Sequence, residues 1–236
     1  MLQEAIILAG GFGTRLREVV SDVPKPMAPV NGKPFLDYQL RYLKHYGIER
    51  VILSVGHLSE KITEHYGNNF AGIEIVYSVE KEPLGTGGGI RLAMEKCKEY
   101  DVLVLNGDSF FSIDLHNFYN KYSDSVADGA LALRYIDNCA RYGTIILGEM
   151  DIIKAFNEKA RHKTPGIINA GVYILSRDIY MEETHAGKNF SIEKDFFEKK
   201  LNKLTLYGFT YNGYFIDIGI PEDYKQAQHD FETFKY

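Results

Sequence analysis

The stretch AIILAGGFGTRL (residues 5–16) runs from an apolar segment into Gly10, Gly11 and Gly13, then closes on Thr14, Arg15 and Leu16. Residues 4–9, EAIILA, have the length and composition of a buried strand. The glycines that follow tolerate positive φ and let backbone N–H groups reach a ligand with no Cβ in the way. A row of such N–H groups makes an anion-binding concavity, and Arg15 adds a fixed cation with a bidentate fork. In an open α/β sheet, the end of a strand is where ligands bind. On its own the loop reads equally well as a tight turn with an incidental arginine. Two known phosphate loops do not fit it: no lysine follows as in G-x-x-x-x-G-K-[ST], and Leu16 stands where G-x-G-x-x-G needs its last glycine.

Outward from this corner the first half alternates. RVILSVG (50–56), IEIVYSV (73–79) and DVLVLNGD (101–108) read as strands. PFLDYQLRYLKHYG (34–47), LSEKITEHYG (58–67) and GGIRLAMEKCKEY (88–100) read as helices. In the first helix a proline starts the run, Phe35, Leu36, Leu40 and Leu43 follow at helical spacing, and Gly47 stops it. Strands separated by helices of this length predict βαβ units and a mostly parallel sheet. After residue 125 the strands shorten and take an antiparallel flavour (129–135, 143–147, 151–158, 170–175), with helices over 193–203 and 221–234. No linker or repeat interrupts the chain. The expectation is one α/β domain over 1–236, a Rossmann-like open, mostly parallel sheet flanked by helices. Residues 1–125 form one half and 126–236 a smaller mixed half, with the cleft at the carboxyl ends of the parallel strands.

A net charge of −5 argues against general nucleic-acid binding, which needs a basic surplus, but leaves room for one small phosphorylated ligand. Cys97 and Cys139 have no metal-type spacing and make no disulfide framework, so a reducing, cytoplasmic setting is expected. No basic leader and no apolar run of about 18 residues is seen, which argues against secretion and membrane spanning.

Other segments carry chemistry only in combination. In VPKPMAPVNGKP (23–34), Lys25 lies between prolines that stiffen the backbone and aim its side chain; alone, this is a surface loop. NGDSFF (106–111) is a turn by composition, yet it ends a buried strand on Asp108. Asp217 in YFIDIG is likewise an acid flanked by apolar residues. Glu80 in SVEKEPLGTGGGI (78–90) is by default a solvated glutamate before a glycine-rich turn. Glu158 and Lys159 in AFNEKA are adjacent, so on a strand they would face opposite sides.

In this order LAGGFGTRL, PKPM, EPLGTGGGI, LVLNGDSFF, FNEK, NAGVYIL and DIGIPEDY resemble the sugar-1-phosphate nucleotidyltransferases, over essentially the whole chain. The resemblance implies the nucleotide-diphospho-sugar transferase (GT-A-like) fold, with the nucleotide in the first half and the sugar phosphate in the second. It implies attack by a sugar 1-phosphate on the α-phosphorus of an NTP, with release of pyrophosphate and Mg²⁺ as cofactor. Arg15, Lys25 and Asp108 are then catalytic. Leu8, Ala9, Gly10, Gly11, Gly13 and Thr14 cradle the triphosphate, Gly85, Thr86 and Gly87 pack near the base, and Glu80 reads it. Tyr142, Gly143, Glu158, Lys159, Asn169, Ala170 and Gly171 line the sugar-phosphate pocket, and Asp108 with Asp217 binds the metal. Relatives often follow the glutamate-lysine pair with proline, where this chain has Ala160-Arg161. Within the family it is most similar to guanylyltransferases acting on D-glycero-α-D-manno-heptose or mannose 1-phosphate. GTP also suits Glu80 chemically, because a carboxylate complements the N1–H and N2–H₂ donors of guanine. The competing readings are a uridylyl- or thymidylyltransferase, a glycosyltransferase (which normally wants D-x-D where Asp108-Ser109-Phe110 stands) and a non-catalytic sensor. An interface between copies would use the aromatic run YNGYF (211–215) and the C-terminal helix.

Overall fold

Strands β1 (Glu4–Leu8), β2 (Arg50–Val55), β3 (Ile73–Val79) and β4 (Asp101–Asn106) form a parallel group in the order β3-β2-β1-β4. The connections are α1 (Phe35–His45), α2 (Ser59–Tyr66) and α3 (Gly85–Met94). These and the elements below come from a computed structural model that describes residues 2–11, 22–157 and 163–234. The chain steps outward from β1 to β3, then crosses back to place β4 on β1's other side. The direction of winding therefore reverses between β1 and β4, which opens a crevice at their carboxyl ends.

The second half comprises β5 (Ser109–Phe111), α4 (Leu115–Ser123), β6 (Gly129–Ile136), β7 (Thr144–Leu147), β8 (Ile153–Asn157) and β9 (Gly166–Ser176). It continues with α5 (Arg177–Glu183), a π-helical segment (Ile192–Glu198), β10 (Leu206–Tyr211), β11 (Phe215–Asp217) and α6 (Pro221–Asp230). β9 runs antiparallel to β4 and extends the parallel group into a 10-stranded sheet among the described residues. β5 and β11 pair antiparallel as a separate ribbon.

Alternate residues of the central strands feed opposite faces of the sheet. Ile7, Val51, Leu53 and Leu103 pack with Leu36, Leu40 and Leu43 of α1. Ile6, Ile52, Val102 and Val104 pack with Ile90, Ala93 and Met94 of α3. No helix among the described residues is long and apolar enough to cross a membrane.

The α/β class and the mixed second half agree with the sequence reading; several boundaries do not. The helix expected over 88–100 spans Gly85–Met94. It stops early because the buried carboxylate of Glu4 accepts the backbone N–H groups of Lys98 (2.6 Å) and Glu99 (2.8 Å), turning the chain into β4. The segment at 193–203 begins as a π-helix, and β10, α4 and α5 add elements that were not expected. β10 also pairs parallel with β6, against the antiparallel texture of its surroundings. The rings of YNGYF are partly buried against the core, where Tyr211 meets Phe118, Tyr214 meets Phe231 and Phe215 meets Phe111.

Candidate active site

β1 and β4 finish side by side at the crevice. The Gly107 N–H donates to Leu8 O (3.0 Å), and a Cβ at 107 would lie 2.4 Å from that oxygen. The Asn-Gly turn is therefore both turn and site. It brings two strand ends together and throws Asp108 forward. Ile218 N–H donates to Asp108 O (2.9 Å), and Ser109 pairs in register with Asp217. Two acids distant in sequence are thus set by one short ribbon.

Lys25 meets both. Its Nζ donates to Asp108 Oδ2 at 2.6 Å and lies 3.8 Å from Asp217 Oδ1. The expected stiff extended segment is here a one-turn 3-10 helix, Lys25–Met27, entered from extended Pro24. Met27 N–H donates to Pro24 O and Ala28 N–H to Lys25 O, while Pro26 loses nothing because an N–H there would have had no helical partner. The prolines still aim the side chain, through a turn. Burial, and then the charge on Asp108, push the Asp217 carboxyl above the usual carboxylate range; Lys25, the Gly219 N–H and Arg141 pull it back. Two acids that repel across a shared cation suit a divalent ion. Among the described residues no group of three or more His, Cys, Asp and Glu converges, which leaves this pair as the candidate donor set. Mg²⁺ is commonly held by one or two carboxylates with water and phosphate oxygens, and the pair fits it.

A cavity opens on each side of this cluster. The first, about 510 Å³, is lined by Leu8, Gly10, Gly11, Lys25, Glu80, Gly85, Thr86 and Asp108, together with His57. The second, about 550 Å³, is lined by Tyr142, Gly143, Asn169, Ala170, Gly171, Asp108 and Asp217. Asn106 and Asp108 line both, so the two spaces meet at the acid turn. Gly13, Thr14, Arg15, Glu158 and Lys159 lie outside the described residues.

Glu80 is half-buried under the first cavity. Its Oε2 accepts the Leu84 N–H (2.9 Å) and its Oε1 the Ser54 hydroxyl (3.4 Å). Burial raises its carboxyl above the usual range, and these two bonds oppose the rise. It is thus no solvated glutamate; it ties down the 80–84 loop and retains acceptor capacity, since each carboxylate oxygen offers two lone pairs.

Two residues placed against the nucleotide do not face the cavity. Ala9 is buried in the sheet, its N–H on Ser54 O. Gly87 is buried against the segment before the π-helix, where a Cβ would meet the Phe190 ring at 2.1 Å. The glycine run at 85–89 thus admits a neighbouring strap of chain, with Gly87 N–H donating to Phe190 O and Phe190 N–H to Leu84 O.

In the second cavity Asn169 has one donor on Tyr173 Oη (2.9 Å) and its oxygen on Gly171 N–H (2.9 Å), so only part of its carboxamide faces a ligand. The Tyr142 phenol, raised to about 12 by burial first and then by Asp217, stays protonated at neutral pH. Arg141, Ser191, Glu193 and Lys194 also line this cavity and were not anticipated. FSIEKD (190–195) shows in sequence only a helix-start signal, Ser191 before an acidic turn; the Ser191 hydroxyl does accept the Lys194 N–H.

Known proteins share this architecture. A nucleotidyl transferase family model matches residues 4–233. The D-glycero-alpha-D-manno-heptose 1-phosphate guanylyltransferase of Aneurinibacillus thermoaerophilus is 48% identical over 231 residues, which is 98% of this chain and 99% of that protein. The protein of the same name from Campylobacter jejuni subsp. jejuni is 46% identical over 221 residues, 94% of this chain and 96% of that one. The crystal structure of HddC from Yersinia pseudotuberculosis complexed with GMP-PN superposes with a TM-score of 0.85 at 36% identity, covering 98% of this chain and 100% of that one. A family match over nearly the whole length, joined to a crevice at the β1–β4 switch point, establishes that the chain belongs to the nucleotidyl transferase family.

Proposed function

We propose that this chain transfers GMP from GTP to D-glycero-α-D-manno-heptose 1-phosphate, giving a GDP-sugar and pyrophosphate. The observation that carries this reading is the pair of cavities meeting at Lys25, Asp108 and Asp217. One cavity takes the nucleotide and the other the sugar phosphate. The choice of guanine and heptose is supported by the names of relatives that are nearly half identical over their full length.

A phosphate oxygen of the sugar 1-phosphate attacks the α-phosphorus, and the bond to the β-phosphate oxygen breaks opposite it. The nucleophile is already an anion, so no side chain has to remove a proton. Positioning and charge neutralisation supply the catalysis. Gly10 and Gly11 line the nucleotide cavity and offer backbone N–H groups to the triphosphate, a role that the family resemblance extends to Gly13, Thr14 and Arg15. Lys25 holds the α-phosphate region at the junction of the cavities. Tyr142, Gly143, Asn169, Ala170 and Gly171 bound the sugar ring, with Glu158 on its hydroxyls and Lys159 on its phosphate. Asp108 and Asp217 would hold Mg²⁺, which neutralises phosphate charge when bound.

Four NTPs crossed with several sugar 1-phosphates, scored by pyrophosphate release, test the reading. GTP with the manno-heptose 1-phosphate is expected to give the highest kcat/KM. Faster turnover of UTP or dTTP would overturn the base, and release of an NDP in place of pyrophosphate would overturn the reaction class.

Glu80→Gln isolates base reading, because an amide oxygen can still accept the Leu84 N–H and keep the loop. Loss of one charged partner for a guanine edge is expected to reduce the preference for GTP over ATP by about 10–100-fold in kcat/KM. An unaltered ratio would confine Glu80 to holding the loop.

A further inference from the structure

Gln39 is a fully buried carboxamide on the face of α1 that otherwise supplies leucines to the core. Its Nε2 donates to Asn106 O (2.8 Å) and to Ser109 O (2.8 Å). Those carbonyls bracket Asp108. One turn along the helix, the Tyr42 hydroxyl donates to Ile113 O (2.8 Å) at the far end of the same segment. Ser109 is also the register partner of Asp217. The entry to α1 is in turn bonded to the lysine arm, Phe35 N–H donating to Ala28 O (3.0 Å) just after the Lys25 turn. One helix therefore grips the acid turn, the ribbon that brings up the second acid, and the segment that delivers the lysine.

The carboxamide oxygen shows that packing alone does not explain this residue. Gln39 Oε1 is buried with no hydrogen-bond partner among the described residues. An orphaned buried acceptor is an uncompensated desolvation cost. A leucine or methionine would fill the space without that cost but would give up both donors.

We propose that Gln39 is a positioning residue: by holding the carbonyls of Asn106 and Ser109 it sets the separation of Asp108 and Asp217, and with it their fitness to hold a divalent cation. This rests on the two-aspartate reading given above. Outer-shell partners of metal ligands are worth about 10–100-fold in metal affinity.

The test measures Mn²⁺ binding by loss of the free-ion EPR signal, with a non-hydrolysable GTP analogue present, in the full-length protein. Gln39→Met is expected to weaken Mn²⁺ binding about tenfold. Leu40→Ala, a core cavity on the same helix, is expected to lower the melting temperature at least as far and leave Mn²⁺ affinity at the wild-type value. Should Gln39→Met not fold, Gln39→Asn, which keeps both donors about 1.5 Å further back, reads the same quantity. Wild-type Mn²⁺ affinity in the Gln39 variant, with binding lost in Asp108→Asn and Asp217→Asn, would overturn the proposal and spare the metal site. Wild-type affinity in the two aspartate variants would overturn the metal site, and the proposal with it. Equal weakening in Leu40→Ala would also overturn it, by reducing Gln39 to a stability effect.

Discussion

Lys25→Met is expected to lower kcat by about a thousandfold while the protein stays folded. Removing a single preorganised donor from a transition state costs about 10²–10³ in rate, and Lys25 does more than donate. Its ammonium lies 2.6 Å from one acid and 3.8 Å from the other, so its loss also leaves two neighbouring carboxylates without their shared cation. Methionine has a similar reach and keeps the apolar stem packed, which separates lost charge from lost volume. Because the proposed contact tightens as charge moves at the α-phosphorus, the deficit falls mainly on kcat and less on the KM for GTP. Lys25→Arg is expected to recover only part of the rate, since a planar fork does not replace a point charge between two carboxylates. Pyrophosphate-release kinetics on variants with wild-type circular dichroism decide it. A Lys25→Met enzyme within tenfold of wild-type kcat would remove Lys25 from the mechanism.

The second large effect lies at the opposite end of the sheet. Glu4 is buried at the start of β1; Oε1 accepts from Arg50 Nη1, and Oε2 takes the N–H groups of Lys98 and Glu99. Arg50 also donates to Lys96 O (2.9 Å) and pairs with the exposed Glu74 (3.3 Å). This clamp ends α3, starts β4 and ties β1 to β2. Glu4→Ala leaves a largely buried guanidinium with the Lys96 carbonyl and a single, solvated carboxylate, Glu74, and frees two backbone donors. Breaking a buried pair from one side costs about 3–5 kcal/mol, which corresponds to a melting temperature lower by roughly 10 °C for a chain of this length. Turnover per folded molecule at room temperature is expected to stay near wild type, because the acid turn is at the other ends of the strands. Differential scanning calorimetry beside kinetics checks both halves. A shift below about 3 °C would mean that water replaces the carboxylate at little cost.

Much of the architecture was legible because its signals are local. An apolar run ending in glycines, a proline opening α1 and the return of strand-like segments after each helix all depend on residues a few positions apart. α4 and α5 were harder. Their caps are present, Asp114 accepting from Asn117 N–H and Ser176 from Ile179 N–H. α5 buries Tyr180 alone and so shows no apolar spacing, while α4 does carry Leu115, Phe118 and Tyr122 at helical spacing, a signal the sequence reading passed over. β10 escaped for another reason. LYGFTY earns its place by pairing with the distant β6, and no neighbouring residue announces that partner.

The candidate site divides along the same line. Local backbone preference was enough to mark the glycine corner, whereas Lys25 between its prolines and the two aspartates took on roles only through the order of motifs along the whole chain. Folding decided that Asp108 and Asp217 share one lysine, that two cavities meet at Asn106 and Asp108, and that Gly87 makes room for Phe190 instead of a ligand. It also gave Gln39, an unremarked polar residue in a helix, its hold on the acid turn. Each of these depends on strand register and helix docking, whose energies come from contacts between residues far apart in the chain, and such contacts leave no pattern in any short window of sequence.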